Sequence, residues 1–197
     1  WVNQAVWGTS KSVGDTAGYD VTGWGISLGA EIKTDLGNFG GSIAYLSGKD
    51  GNKANANEVS SSQFEGALHW RLRSNDWMAN ARISGAPISF KGTRMFQAEA
   101  GAEDISETMR GKWNGTLWSA SGSVAHDGRL GGLSVRPTVA VDYYKLTEKG
   151  YTETGGGDAL DLTVLGRDSD ELAVSGTVAV GLDFGGDAGG ANGRTGD

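Results

Sequence analysis

The sequence contains no cysteine among its 197 residues, which excludes disulfides, thiolate metal sites and cysteine nucleophiles at once. Proline is scarce, with 2 against 34 glycines, so the glycine does not mark a proline-rich linker. No interdomain linker stands out, and the length suits one domain. Long hydrophobic runs are missing: none approaches the roughly 18 apolar residues of a membrane helix, and mean hydropathy is negative at −0.33. No secretory leader is visible. A start at Trp1, with neither basic residues nor an apolar stretch, is what a processed, excised or truncated chain presents. Positive charge is in deficit, and a net charge of −7 argues against nucleic acid as a partner. It suits loops that face an acidic, cation-bridged cell surface.

What the chain has is alternation. Leu172, Val174, Val178, Val180, Leu182 and Phe184 face one way, while Ala173, Ser175, Thr177, Ala179, Gly181 and Asp183 face the other. The pattern recurs over 24–32, 64–72 and 133–143. Strands of soluble sandwiches are usually about 5 to 6 residues. Strands of roughly 9 to 11 or more, apolar outward and polar inward, match a tilted crossing of a bilayer. The fold class predicted is all-β: an antiparallel up-and-down transmembrane β-barrel. A negative hydropathy fits it, because half of every strand faces an aqueous or packed lumen.

Turn signals divide the chain into short and long connections. Asp35-Leu36-Gly37-Asn38, Ser74-Asn75-Asp76 and the stretch 127–132 are tight and rich in Gly, Asn and Asp. Longer polar stretches cover 9–20, 47–62, 89–112 and 145–158 and are expected as loops. In outer-membrane barrels short turns are periplasmic and long loops external, so the first strand runs outward. The eight predicted crossings are 1–8, 21–34, 39–46, 63–73, 77–88, 113–126, 133–144 and 171–184. The segment 159–165 also alternates but is short for a crossing; it is expected in a hairpin above the membrane. Met109 and Lys53 fall in stretches expected to be exposed at the cell surface.

Aromatics near strand ends suggest two interfacial girdles built from Trp7, Trp24, Trp70, Trp77, Trp113, Tyr143 and Phe184. Charges point to the opposite face. Glu31, Lys33, Glu65, His69, Arg71, Arg82, Arg136, Asp142 and Asp183 alternate with outward apolar neighbours and are the candidate lumen-facing residues. On the lipid face a charge costs roughly 2 to 4 kcal/mol at midplane. Such a hydrated lumen contacts an anchoring helix or a passing polypeptide, or is simply a solvated interior with paired charges.

Candidate chemistry is thin. Only His69 and His126 are available as bases, and no Gly-x-Ser-x-Gly leads from a strand to a helix. His69 shares its face with Glu65, Arg71 and Arg73, so a hydrolase-type Glu, His and Ser cluster is the one catalytic arrangement open to the chain; no enzyme activity is expected. Two distant histidines give no zinc spacing, and no twelve-residue calcium loop can be counted out. Gly155-Gly156-Gly157 reads as a loop bend rather than a phosphate cradle, because no helix follows it. No cofactor or metal is expected.

Gly18-Tyr19-Asp20, followed by the run from Gly23 through Trp24 to Glu31, resembles the opening hairpin of an autotransporter translocator domain. The stretches 40–45, 133–143 and 150–156 follow the same family's later pattern, in its order and spacing. The resemblance runs from Trp1 to Phe184. It implies a twelve-stranded barrel in the outer membrane of a Gram-negative bacterium, part of type V secretion and protein transport. Such a domain anchors an N-terminal passenger and takes part in its export. The implied partners are outer-membrane lipid, the chain's own passenger polypeptide and the barrel assembly machinery. About eight of the twelve crossings are expected here. The barrel domain, partial, is assigned to 1–186, and 187–197 to a Gly-rich turn or disordered tail. The passenger, the lumenal helix, the last four strands and the closing aromatic residue are expected outside this stretch of sequence. The alternative is a free-standing outer-membrane porin or structural barrel; a soluble β-sandwich is a third reading, which predicts solubility without detergent.

Overall fold

Alternating strands punctuated by tight turns must fold as hairpins, and the computed structural model, which describes residues 1–12, 18–52, 57–100 and 103–182, is a run of them. The strands are β1 (Val2–Lys11), β2 (Tyr19–Thr34), β3 (Gly37–Asn52), β4 (Asn57–Ser74), β5 (Trp77–Ala100) and β6 (Glu103–His126). They continue with β7 (Gly128–Leu130), β8 (Leu133–Glu148), β9 (Tyr151–Thr152), β10 (Thr163–Val164) and β11 (Arg167–Leu182). The eight long strands pair antiparallel in chain order, β1-β2-β3-β4-β5-β6-β8-β11, with β7 beside β8 and a separate β9–β10 ribbon. Among the described residues β1 and β11 pair only with β2 and β8, so the sheet is a half-barrel with two open edges.

The short turns are locally encoded. Gly37 takes φ 106°, Asn75 φ 49° and Gly131 φ 64°, left-handed positions that glycine and asparagine adopt at least cost. The Thr34 hydroxyl donates to the Gly37 carbonyl at 2.6 Å, and the Trp70 indole donates to the Leu36 carbonyl at 2.8 Å, clipping the first turn to β4. All three short turns lie at one end of the sheet, as expected, and β1 starts from that end.

The opposite end differs from the sequence reading. The described residues of 47–62 and 89–112 are strand, not loop: β3 and β4 pair out to Asn52↔Asn57, and β5 and β6 out to Ala100↔Glu103. Met109, expected on an exposed loop, is 0% exposed inside β6. The cause is physical. Beyond the bilayer both faces of a strand can be polar, so the apolar–polar period that marks a crossing disappears while the ladder continues. At about 3.3 Å per residue, the 24 residues of β5 or β6 reach about 79 Å, far more than a crossing of 9 to 11 residues requires. The segment 159–165 does join a hairpin, since β10 pairs with β9. Asp183, Phe184, Lys53 and 187–197 lie outside the described residues.

The two prolines mark gaps in the ladders. β4–β5 pairing skips from Gln63↔Ile88 to Gly66↔Gly85 around Pro87, and β6 stops pairing with β8 at Ala125↔Thr138, beside Pro137. Each lacks the N–H that a ladder rung needs.

The apolar side of the strands forms a band. On it Ile32 is 67% exposed, Leu68 67%, Ile83 54% and Val180 62%, and no second layer covers it among the described residues. The band ends toward the long connections at Thr22, Ser47, Ser62, Ser89, Thr116, Lys145 and Asp170, a border that steps along the strands as tilted crossings require. Single cysteines at Leu28, Leu68, Val139 and Val178 should therefore react with a lipophilic maleimide in membranes. Those at Ser27, Ala67, Ala140 and Thr177 should react with a water-soluble one; equal aqueous labelling of both sets would overturn the assignment of faces.

Candidate functional site

The other face carries the charges, and the register decides which of them meet. Glu31, Lys33, Glu65, His69, Arg71, Arg82, Arg136 and Asp142 all stand on it. Glu31 and Glu65 keep only 17% and 16% of their side chains exposed although no second layer lies over them among the described residues. Crowding of this kind belongs to the concave side of a curled sheet.

Two clusters lie within the crossing segments. Glu31 on β2 accepts from Arg71 on β4 (2.6 and 3.0 Å) and from Asn38 on β3 (2.6 Å), and its second oxygen lies 3.4 Å from His69 Nε2. The His69 ring rests over its cross-strand neighbour Gly40, where a Cβ would overlap it, so glycine is what lets the imidazole reach Glu31. Next to this, Glu65 on β4 is paired with Arg82 on β5 and accepts from the Ser84 hydroxyl at 3.0 Å; Ser84 is 2.7 Å from Ser119 on β6. At the short-turn end Asp127 binds Arg136 and, at 3.2 Å, Arg73. Lys33 and Asp142 share the face but join no ion pair among the described residues.

A further assembly caps the face beyond the band. Trp113 stacks between Phe90 (5.2 Å) and Tyr151 (4.4 Å), and its indole donates to Glu148 at 2.8 Å. Arg167 binds the other Glu148 oxygen at 2.5 Å. Arg94 clamps Glu153 at 2.6 Å and also donates to the Leu160 carbonyl at 2.8 Å. The hairpin of β9 and β10 is thus folded onto β5 and β6, with Met109 sealed beneath it. Gly111 leaves room for the Tyr151 ring, and Gly155, at φ 117°, packs against the Thr108 carbonyl.

Charge follows geometry. The hydrogen bond from Arg94 holds the Glu153 carboxyl below its ordinary range against the opposing effect of burial, with further help from the Leu162 amide. Burial pushes Glu148 up, but the hydrogen bonds from Arg167 and Trp113 outweigh it and the net shift is downward.

Of the aromatics expected in the girdles, Trp24, Trp70, Trp77 and Tyr143 stand on the apolar face. Trp7 and Trp113 do not, which corrects the sequence reading. Trp7 lies over Gly23 on the polar face, and Trp113 has the parity of Ser119, not of its exposed neighbour Trp118. Proximity to a strand end was the wrong signal; parity counted along the strand gives the right one. It also finds Phe39, Tyr45, Phe64 and Trp118 on the apolar face, with Trp24–Tyr45 and Tyr45–Phe64 in ring contact at 5.5 and 4.9 Å. Ser84, Ser119, Asn38 and Asp127 escape a search for charge alternation because three are uncharged and the fourth sits in a turn.

Chemically, the face supplies charges that are mostly fixed in mutually neutralising pairs. The Ser84 hydroxyl is bonded to the Glu65 carboxylate, Ser119 to Ser84, and the bond from His69 goes to Glu31, so the Glu, His and Ser cluster is not assembled as nucleophile and base. No group of three His, Cys, Asp or Glu gathers as metal ligands among the described residues.

Two outcomes follow. Arg82→Glu should destabilise the folded sheet by about 1–2 kcal/mol, between exposed and buried pairs. Glu65→Arg combined with it should restore much of the loss, as read from urea unfolding in micelles; a double variant no better than the single one would dissolve the pairing. Because Glu148 and Glu153 titrate below their ordinary values, their contribution is complete above the usual carboxylate pKa of about 4.5 and is lost as pH falls through the lowered values. Amides of 149–166 should therefore lose hydrogen-exchange protection on acidification to about pH 3, while the crossings keep theirs. Unchanged protection there would show that the two pairs do not hold the hairpin.

The sequence matches the family described as autotransporter beta-domain over residues 3–195. No curated protein matches it. Among solved structures, the translocator domain of autotransporter NalP from Neisseria meningitidis is similar, with a TM-score of 0.72 at 14% identity. The alignment covers 91% of this chain and 59% of that one.

Proposed function

This chain belongs to the autotransporter beta-domain family, and from that premise we propose that it is the outer-membrane translocator that anchors a passenger polypeptide and takes part in its export. The observation that carries the reading is the pairing of this family match with a two-faced sheet: an uncovered apolar band for lipid and a charged concave face for a hydrated interior. Its role is structural and secretory. β1 starts at the short-turn end, the periplasmic one, so a polypeptide joined ahead of it enters the lumen from the periplasm. The concave face then meets that polypeptide with most of its charges already paired, and paired charges do not seize a passing segment as bare ones do. The outer edges of β1 and β11 have no partner among the described residues, and open edges in hydrocarbon leave donors and acceptors unsatisfied at several kcal/mol each, so pairing of these edges is what insertion requires. Assembly machinery that inserts such strands is the natural partner at that stage.

The test is surface display from the full-length gene. An epitope placed in the segment ahead of residue 1 should be cleaved by protease added to intact cells. With 1–182 deleted it should remain protected in the periplasm. An epitope that reaches the surface without this domain would refute the reading.

A further inference from the structure

Just beyond the border of the apolar band, and on the same outward face, the register sets Lys49, Ser60, Lys91 and Lys112 side by side across β3 to β6. Lys49 is neutralised by Glu58 at 2.7 Å. Lys91 and Lys112 stand directly opposite one another, both exposed, and neither joins an ion pair among the described residues. Like charges directly opposite on a sheet are destabilising, so the fold alone gives no reason for this pair. Arg110, also exposed and without an ion pair among the described residues, follows Lys112 on the same face.

Below the row the outward surface is hollowed. Gly66 and Gly85 are directly paired, and Gly41 lies beside them. The result is a shallow depression, open to the outside and of about 870 Å³, walled by Leu28, Ile43, Leu68, Ile83 and the Trp118 ring that lies over Gly85. Lys91 lies four residues beyond Pro87, about 13 Å along the strand or about 9 Å above the hydrocarbon for a 45° tilt. The polar layer of a bilayer extends about 5–8 Å beyond its core, so a lysine side chain at that height reaches it. Acyl chains fit the hollow while an anionic headgroup meets the cations.

We propose that Lys91, Lys112 and Arg110 bind the phosphate of a phosphorylated lipid in the outer leaflet, whose acyl chains occupy the glycine-floored hollow. The site rests on the outer-membrane reading above. Lysine is a point-charge binder of phosphate, and one phosphate between Lys91 and Lys112 turns their repulsion into attraction.

The test uses the full-length protein in dodecyl maltoside micelles with a synthetic bis-phosphorylated glycolipid, its dephosphorylated analogue and inorganic phosphate, read by native mass spectrometry. The phosphorylated lipid should bind, and the analogue should not. Lys91→Gln with Lys112→Gln should weaken binding about tenfold, and either substitution alone should weaken it less. Lys91→Arg with Lys112→Arg should retain it. Wild-type binding by the double glutamine variant, equal binding of the analogue, or displacement by millimolar inorganic phosphate would each overturn the proposal. Heat-modifiable migration on a detergent gel reports the barrel separately. A heat-modifiable protein that fails to bind sinks the lipid site alone; a protein that is never heat-modifiable sinks the outer-membrane reading with it.

Discussion

In hydrocarbon no water is available to satisfy a peptide group, so each N–H and C=O in a crossing segment needs a partner on a neighbouring strand. The rest of this structure follows from that demand. It explains why the register runs without a slip from β2 through β6, since a one-residue shift would turn every lipid-facing side chain inward. It also explains why prolines are so few: at Pro87 and Pro137 the ladders visibly lapse.

A fixed register then determines which side chains meet, and glycine sets how closely. On the concave side the rings of Trp7, His69 and Tyr151 each lie over a glycine, at Gly23, Gly40 and Gly111. On the convex side Trp118 lies over Gly85. Aromatic rings that cover bare backbone shield its hydrogen bonds and add contact area. These four glycines therefore serve packing rather than turning. The carboxylates reach arginines on neighbouring strands, Glu65 to Arg82 across one ladder and Glu31 to Arg71 across β3, so much of the charge on the interior wall is balanced locally.

Most of the crossing architecture was legible in the sequence because lipid on one side and water on the other impose a period of two. The eight crossings, their order and the short turns at one end emerged from that period. So did the facing of Glu31, Glu65, Arg82 and Asp142. The signal ended where the lipid ended. Residues 89–112 lack an apolar face and read as loop, yet their backbone pairs rung by rung to Ala100↔Glu103. The docking of Glu153 on Arg94 was equally hidden, since the two residues lie far apart in the chain and meet only through folding of the hairpin. Trp113 shows the same limit at a single residue: its type suggested an interface, but its parity placed it against Phe90 and Tyr151.

The continuous β5–β6 hairpin has an evolutionary corollary. A loop drifts in length freely, one residue at a time. A ladder that rises unbroken from the membrane wall does not, because each added residue inverts the facing of everything beyond it. Its length is therefore quantised. Changes that preserve Met109 beneath the cap and Arg94 against Glu153 come as two residues in each strand, whereas growth at the tip beyond them is unconstrained. Homologues should vary there in even steps below the cap and at random above it.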